Sequence, residues 1–165
     1  MPSTYEPIAT FTAATATGSV SFSSIPNTYT DLVLIINGSL RDSGDNLLLR
    51  FNGDSSSLYA QTDISASGAT LASQRTSGVR LYVPFTNQFV QTSPFLVTLN
   101  IFSYAGSQFK TCLVSTNNDA NGSGRISSGV LLYRSTDAIT SLELTANSGI
   151  YNAGTTATLY GIKNA

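Results

Sequence analysis

The 165-residue sequence has no histidine and no tryptophan, one cysteine and one methionine. Without histidine there is no Ser–His–Asp triad, no Cys–His dyad and no imidazole metal site. Cys112 by itself allows no intrachain disulfide, zinc ribbon or iron–sulfur cluster. Charge is also scarce. Only 10% of residues are charged, against roughly 25% in an ordinary soluble domain. A net charge of −1 leaves nothing to balance a row of phosphates, so nucleic acid is not an expected partner. The longest apolar run, Leu32 to Ile36, is five residues, far short of the roughly 20 that a spanning helix needs. A membrane is therefore not expected either. Met1 to Pro7 has neither a basic segment nor an apolar one, so no secretion signal is expected and synthesis in a cytoplasm is.

Hydroxyl and amide side chains fill the gap. There are 24 Ser, 21 Thr and 12 Asn, with 13 Gly. Around them the apolar residues alternate with period two, as half-buried strands require. Strands are expected at Ile8–Ala13, Val20–Phe22, Asp31–Asn37, Leu47–Phe51, Leu58–Ile64, Val79–Val83, Phe95–Tyr104, Phe109–Thr116, Gly129–Arg134, Ile139–Ala146 and Thr156–Ile162. Turn signals separate them, among them Asn52-Gly53, Ser67-Gly68, Asn121-Gly122 and Ala153-Gly154, with Asp42-Ser43-Gly44 and Ser148-Gly149. Asn37-Gly38-Ser39 and Asn121-Gly122-Ser123 match a glycosylation pattern and are read instead as two Asn-Gly turns. Ser55 to Ser77 is weakly patterned, so beyond its one strand it reads as a long loop. The expected fold is all-β: a single two-sheet antiparallel β-sandwich over residues 1–165, of jelly-roll type, with a short extended N-terminal arm over about 1–7. Uneven strand lengths argue against a closed barrel.

Few residues offer chemistry. Asp42, Asp45 and Asp54 lie near one another in sequence, and oxygen ligands in a loop are what Ca²⁺ takes. The spacing fits no EF-hand, however, because Gly44 comes too early and no Glu closes the loop. The Asn117–Asn121 stretch is discounted in the same way. Glu6 and Glu143 are the only glutamates, and no carboxylate pair can be placed about a glycosidic bond. Cys112 alternates with Thr111 and Leu113, as a small core residue does. No enzyme and no cofactor is expected. Contact is the more promising theme. Only Lys110 and Lys163 are available to blunt sheet edges, so the edges are expected to be covered, by neighbouring subunits rather than by segments containing Pro26, Pro84 and Pro94; the alternative is a monomer solvated by its Ser, Thr and Asn side chains. Arg80 and Tyr82 share one strand face, and Tyr5 sits in an arm held open by Pro2 and Pro7. Tyr5, Arg80 and Tyr82 are the candidate protein-interface residues. The arm either reaches a neighbour or packs along its own sandwich.

Several phrases carry a resemblance: Met1-Pro2-Ser3-Thr4-Tyr5-Glu6-Pro7-Ile8-Ala9; Ser21-Phe22-Ser23-Ser24-Ile25-Pro26 leading to Tyr29-Thr30-Asp31-Leu32-Val33-Leu34; Leu49-Arg50-Phe51-Asn52-Gly53-Asp54; Ile101-Phe102-Ser103-Tyr104-Ala105-Gly106; and Thr156 to Lys163. Together they resemble a family of small virion proteins of tailed bacteriophages, especially those of aquatic bacteria and cyanobacteria. Ser55 to Gln91 carries no such phrase. The resemblance implies a structural part of the particle, with no active-site residue to carry over. Its leading implication is a capsid decoration (cement) protein on the head surface, a homotrimer bridging subunits of the major capsid protein and assembled in the host cytoplasm. The alternative is a tail- or fibre-associated protein that contacts the host surface or its glycans.

Overall fold

The computed structural model describes residues 5–41, 46–83, 93–147 and 149–163. They form twelve strands: β1 (Tyr5–Thr12), β2 (Ser19–Phe22), β3 (Asp31–Gly38), β4 (Leu47–Phe51), β5 (Tyr59–Ser67), β6 (Thr70–Gly78), β7 (Leu81–Val83), β8 (Phe95–Ile101), β9 (Lys110–Asn118), β10 (Arg125–Tyr133), β11 (Leu142–Ala146) and β12 (Thr156–Ile162). No helix among the described residues is long and apolar enough to cross a membrane. Strands are what this composition favours, because β-branched and aromatic residues pack well on a pleated surface.

The strands make two antiparallel sheets. One has eight strands in the order β1-β12-β3-β8-β9-β10-β5-β6, and the other has four in the order β2-β11-β4-β7. The sheets face each other over one apolar core. Alternation places Leu32, Leu34 and Ile36 of β3 and Val97, Leu99 and Ile101 of β8 on the inner side of the large sheet. Leu47, Leu49 and Phe51 of β4 and Leu142 and Leu144 of β11 meet them from the small one. Burying each such side chain stabilises the fold by about 1.5–3 kcal/mol. Phe51, Tyr59 and Tyr133 join the sheets at one end, with the Tyr59 and Tyr133 rings stacked 4.8 Å apart.

The sequence reading and the structure part company at several places. Ser55–Ser77 holds a full hairpin rather than a strand and a loop: β5 and β6 pair from Tyr59↔Gly78 to Ser67↔Thr70. Gly68, at φ +58, takes the first central position of its tight turn, the place where glycine is needed in a type II′ turn. The strand expected at Val79–Val83 begins only at Leu81. Val79 is exposed, whereas Leu81 and Val83 are fully buried. β8 ends at Ile101, because Ser103 turns the chain at φ 49. Asn121 and Gly122 form the expected turn, both with positive φ. Asn37-Gly38 does not: it is the paired end of β3. Gly38 is required there because a Cβ would lie 2.4 Å from the Thr155 side chain. Tyr5, Glu6 and Pro7, assigned to the arm, pair with Ile162, Gly161 and Tyr160 of β12, so this stretch packs along its own sandwich. The Asp42-Ser43-Gly44 turn, Asp45, Pro2, Pro84 and Ser148 lie outside the described residues.

Candidate interaction surfaces

The three expected interface residues fall on two opposite faces. Tyr5 is 53% exposed at the rim of the large sheet, edge-to-face with Tyr160 at 6.3 Å. Arg80 precedes β7, and its guanidinium carbon lies 5.8 Å from the centre of the Tyr82 ring. This pair lies on the outer side of the small sheet, beside a cleft of ≈ 90 Å³ lined by Leu48, Arg50, Arg80 and Thr145. Tyr5 therefore belongs to a different surface from Arg80 and Tyr82.

A broader surface escaped the sequence reading. Strands β9, β10, β5 and β6 extend the large sheet to one side, with Tyr59, Cys112, Val114, Leu131 and Tyr133 still packed in the shared core. On the outer face of this extension Leu71 is 82% exposed, and Ile64 and Ile126 are each 62% exposed. The register brings them together: Ala66 lies between Leu71 and Ile126, and Ile64 lies opposite Ser128. Val130 and Leu113, also exposed, pair with each other one row along. A shallow groove of ≈ 620 Å³ is lined by Ile64, Leu71, Ser115, Ile126 and Ser128. Beside it a second depression of ≈ 580 Å³ is lined by Thr62, Arg75, Thr111 and Val130. Across the whole face, from Thr12 on β1 to Ser77 on β6, Thr, Ser, Asn and aliphatic residues dominate. Among the described strand residues its only charges are Arg75 and Asp31, and the latter accepts a hydrogen bond from the Ser103 amide at 2.7 Å. Contiguous exposed aliphatic residues of this kind mark contact surfaces.

The side chains weighed and discounted as calcium ligands make hydrogen bonds within the fold where they are described. The Asp54 carboxylate accepts hydrogen bonds from the Ser56 hydroxyl and amide and, at 2.8 Å, from the Tyr133 phenol. The Ser56 bonds, with Tyr133 adding to them, hold Asp54 below the usual carboxylate range. Asn118 donates to the Pro94 carbonyl at 2.8 Å, and Asp119 accepts from the Gly122 amide. Among the described residues no group of three His, Cys, Asp or Glu side chains is placed to hold a metal ion. Cys112 is fully buried in the core, and burial pushes its thiol far above the ordinary range.

Among the buried polar residues, Lys110 and Asp63 bear ionisable groups and went unrecognised in sequence because each stands on an alternating strand where an apolar residue is usual. Lys110 is 0% exposed. Its ammonium donates to the carbonyls of Gly106 (2.6 Å), Gln108 and Ser135 (3.4 Å), which ties two loops to the start of β9. Neither lysine guards an edge as a free charge: Lys163 pairs with Glu6 at 3.0 Å. Asp63 lies on the inner side of β5, across from Gly129, where a Cβ would fall 2.9 Å from that of Asp63. Its Oδ1 is buried without a hydrogen-bond partner. Burial raises the Asp63 pKa. The folded chain therefore holds this proton to higher pH than the unfolded chain does. The favourable contribution is complete below the ordinary carboxyl range and is lost as pH rises through the raised value. Asp63→Asn is expected to stabilise the protein at pH 7 by about 1–2 kcal/mol, raising Tm by a few degrees. It is also expected to flatten the stability profile across the acid range. Thermal melts at pH 4 and pH 7 check this, and a lower Tm for the variant at pH 7 is the contrary result.

No protein-family model and no curated protein matches the chain. Among solved structures it is weakly similar to that of infectious bursal disease virus, Gx strain, at 14% identity and a TM-score of 0.14. The match takes in 96% of this chain but only 40% of the viral one, so the chain spans less than half of that neighbour's length.

Proposed function

We propose that the chain is a non-catalytic structural protein of a bacteriophage particle, a decoration protein that docks on the outside of the head and bridges subunits of the major capsid protein. The observation that carries this reading is the outer face of the large sheet: wide, nearly free of charge, and bearing Ile64, Leu71 and Ile126 in the open. Such a face works by contact over area. At roughly 25 cal/mol for each Å² of apolar surface removed from water, modest contacts repeated over many copies add up to strong reinforcement of a shell.

The strand pairings favour a jelly roll as the underlying fold. With the hairpins β5–β6 and β9–β10 set aside, eight strands remain. The first of them pairs with the last, the second with the seventh, the third with the sixth and the fourth with the fifth, as in one long hairpin rolled up on itself. The two hairpins then extend one sheet of the roll and supply the aliphatic patch. The resemblance to small virion proteins of tailed phages agrees with this reading, whereas fold by itself names no function.

A tail-associated role that contacts host glycans draws on a different feature, the half-buried Tyr82 beside Arg80. The copy number in purified particles separates the two readings. Decoration gives about one chain per capsid subunit, or one oligomer per symmetry position. About a dozen chains per particle would assign the protein to the tail, and its absence from particles would overturn both readings.

A further inference from the structure

Two sheets have four edges, and three of these are blunted. At β1, Pro7 lacks an amide donor, the register shifts between Pro7 and Ala9, and Glu6 is bound to Lys163. At the other end of the small sheet from β7, β2 is only four residues long. β7 has three residues, and its outward-facing backbone at Tyr82 is occupied: the Gln61 side chain accepts from the Tyr82 amide at 2.7 Å and donates to its carbonyl at 3.2 Å. Prolines, bulges, charges, short strands and covering side chains are the usual ways of stopping edge-to-edge pairing.

The fourth edge, β6, carries a single charge, Arg75, and among the described residues it has no proline and no register shift. It is nine residues long, Thr70 to Gly78, with no lysine and no acidic residue, and it is exposed along most of its length. Its free backbone groups can be assigned. The Arg134 amide donates to the Leu58 carbonyl, so the even-numbered residues of β5 bond to β10 and the odd-numbered ones to β6. It follows from the register that Leu71, Ser73, Arg75 and Ser77 turn their N–H and C=O groups away from β5, to the open edge.

We propose that this edge pairs, antiparallel and about a two-fold axis, with the same edge of a second copy of the chain. A strand set against itself has few registers to choose from. With the axis at Gln74, Leu71 faces Ser77 of the other copy and Ser73 faces Arg75. All four edge-facing residues on each side are then bonded, giving about eight hydrogen bonds. The two Arg75 side chains each meet a serine. Moving the axis to Arg75 sets guanidinium against guanidinium and loses a pair of bonds; moving it to Ser73 loses a pair as well. The net charge of −1 leaves little repulsion between copies. Pairing joins the two large sheets into one and places both aliphatic patches on the same side of it. It also closes: the β1 edges left at the far ends are the blunted ones, so a dimer forms rather than a fibre. A two-fold dimer takes the place of the trimer that the family resemblance implies. Pairing of this kind belongs to the chain in solution and does not depend on a role in a virus particle.

Sedimentation velocity of the full chain at tens of micromolar is expected to give twice the 17.4 kDa chain mass. Ser73→Pro removes an edge donor that the β5–β6 hairpin does not use, and is expected to weaken the dimer at least tenfold with the far-UV spectrum unchanged. Gln74→Cys places two thiols across the axis and is expected to give a disulfide-linked dimer on mild oxidation. Cys112 is buried and stays silent in that assay. If Ser73→Pro fails to fold, the Gln74→Cys cross-link decides. A monomeric or trimeric wild type, a dimer indifferent to Ser73→Pro, or a Gln74→Cys variant that does not cross-link overturns the proposal.

Discussion

Lys110→Met is expected to lower the unfolding free energy by about 2–4 kcal/mol, a large part of the 5–15 kcal/mol that a domain has. Methionine matches the lysine stem in length and apolar character, so the cost is polar. Three carbonyls, those of Gly106, Gln108 and Ser135, lose their common donor. Each bond to a charged group contributes about 1.5–3 kcal/mol. Two effects work against the loss. Burying the ammonium is itself costly, as the lowering of the Lys110 pKa by burial shows, and that penalty disappears in the variant. Gln108 is also exposed, so its carbonyl can turn to water. The net remains unfavourable because the Gly106 and Ser135 carbonyls stay partly covered. Urea unfolding measures the difference, with an unchanged slope showing that the folded state keeps its compactness. A midpoint equal to that of wild type would show that water replaces the ammonium without cost.

Tyr59→Ala is expected to cost about 3–5 kcal/mol, as aromatic truncation in a tight core does. The Tyr59 ring is fully buried, stacked on Tyr133 and 6.5 Å from Phe51, so the cavity opens where the two sheets meet. Its hydroxyl donates to the Asp54 carbonyl at 3.1 Å and accepts from the Phe51 amide at 3.2 Å. Tyr59→Phe keeps the ring and removes these bonds alone, at an expected cost of about 1–2 kcal/mol. The difference between the two variants is the packing contribution. If Tyr59→Ala and Tyr59→Phe melt together, the ring does not join the sheets.

Strand identity was readable wherever one side of a strand is buried. β12 was located to the residue, and the alternation of β3 and β4 follows their buried positions. β6 was not readable for the opposite reason. It is exposed on both faces, so Thr70-Leu71-Ala72-Ser73-Gln74 shows no period to detect. The loss extended to the surface beyond it, because the Leu71, Ile64 and Ile126 patch exists only once the hairpin is paired. Arg80 and Tyr82 were legible as a pair because residues two apart in extended chain lie on the same side whatever the partner strand. Their distance from Tyr5 was not, since it depends on which sheet each strand joins. Lys110 and Asp63 show the same limit from the other side: a charged residue at an inward position reads as an error in the pattern until the carbonyls or the glycine facing it are known.

The most direct test of a role exercised through the outer face of the large sheet is a binding measurement on shells assembled without this chain. The purified protein is expected to bind them saturably and to raise the temperature at which they break open. Ile126→Lys, a change at an exposed position that leaves the core intact, is expected to weaken binding at least tenfold. Equal binding by the variant and the wild type, or no binding by either, would contradict it.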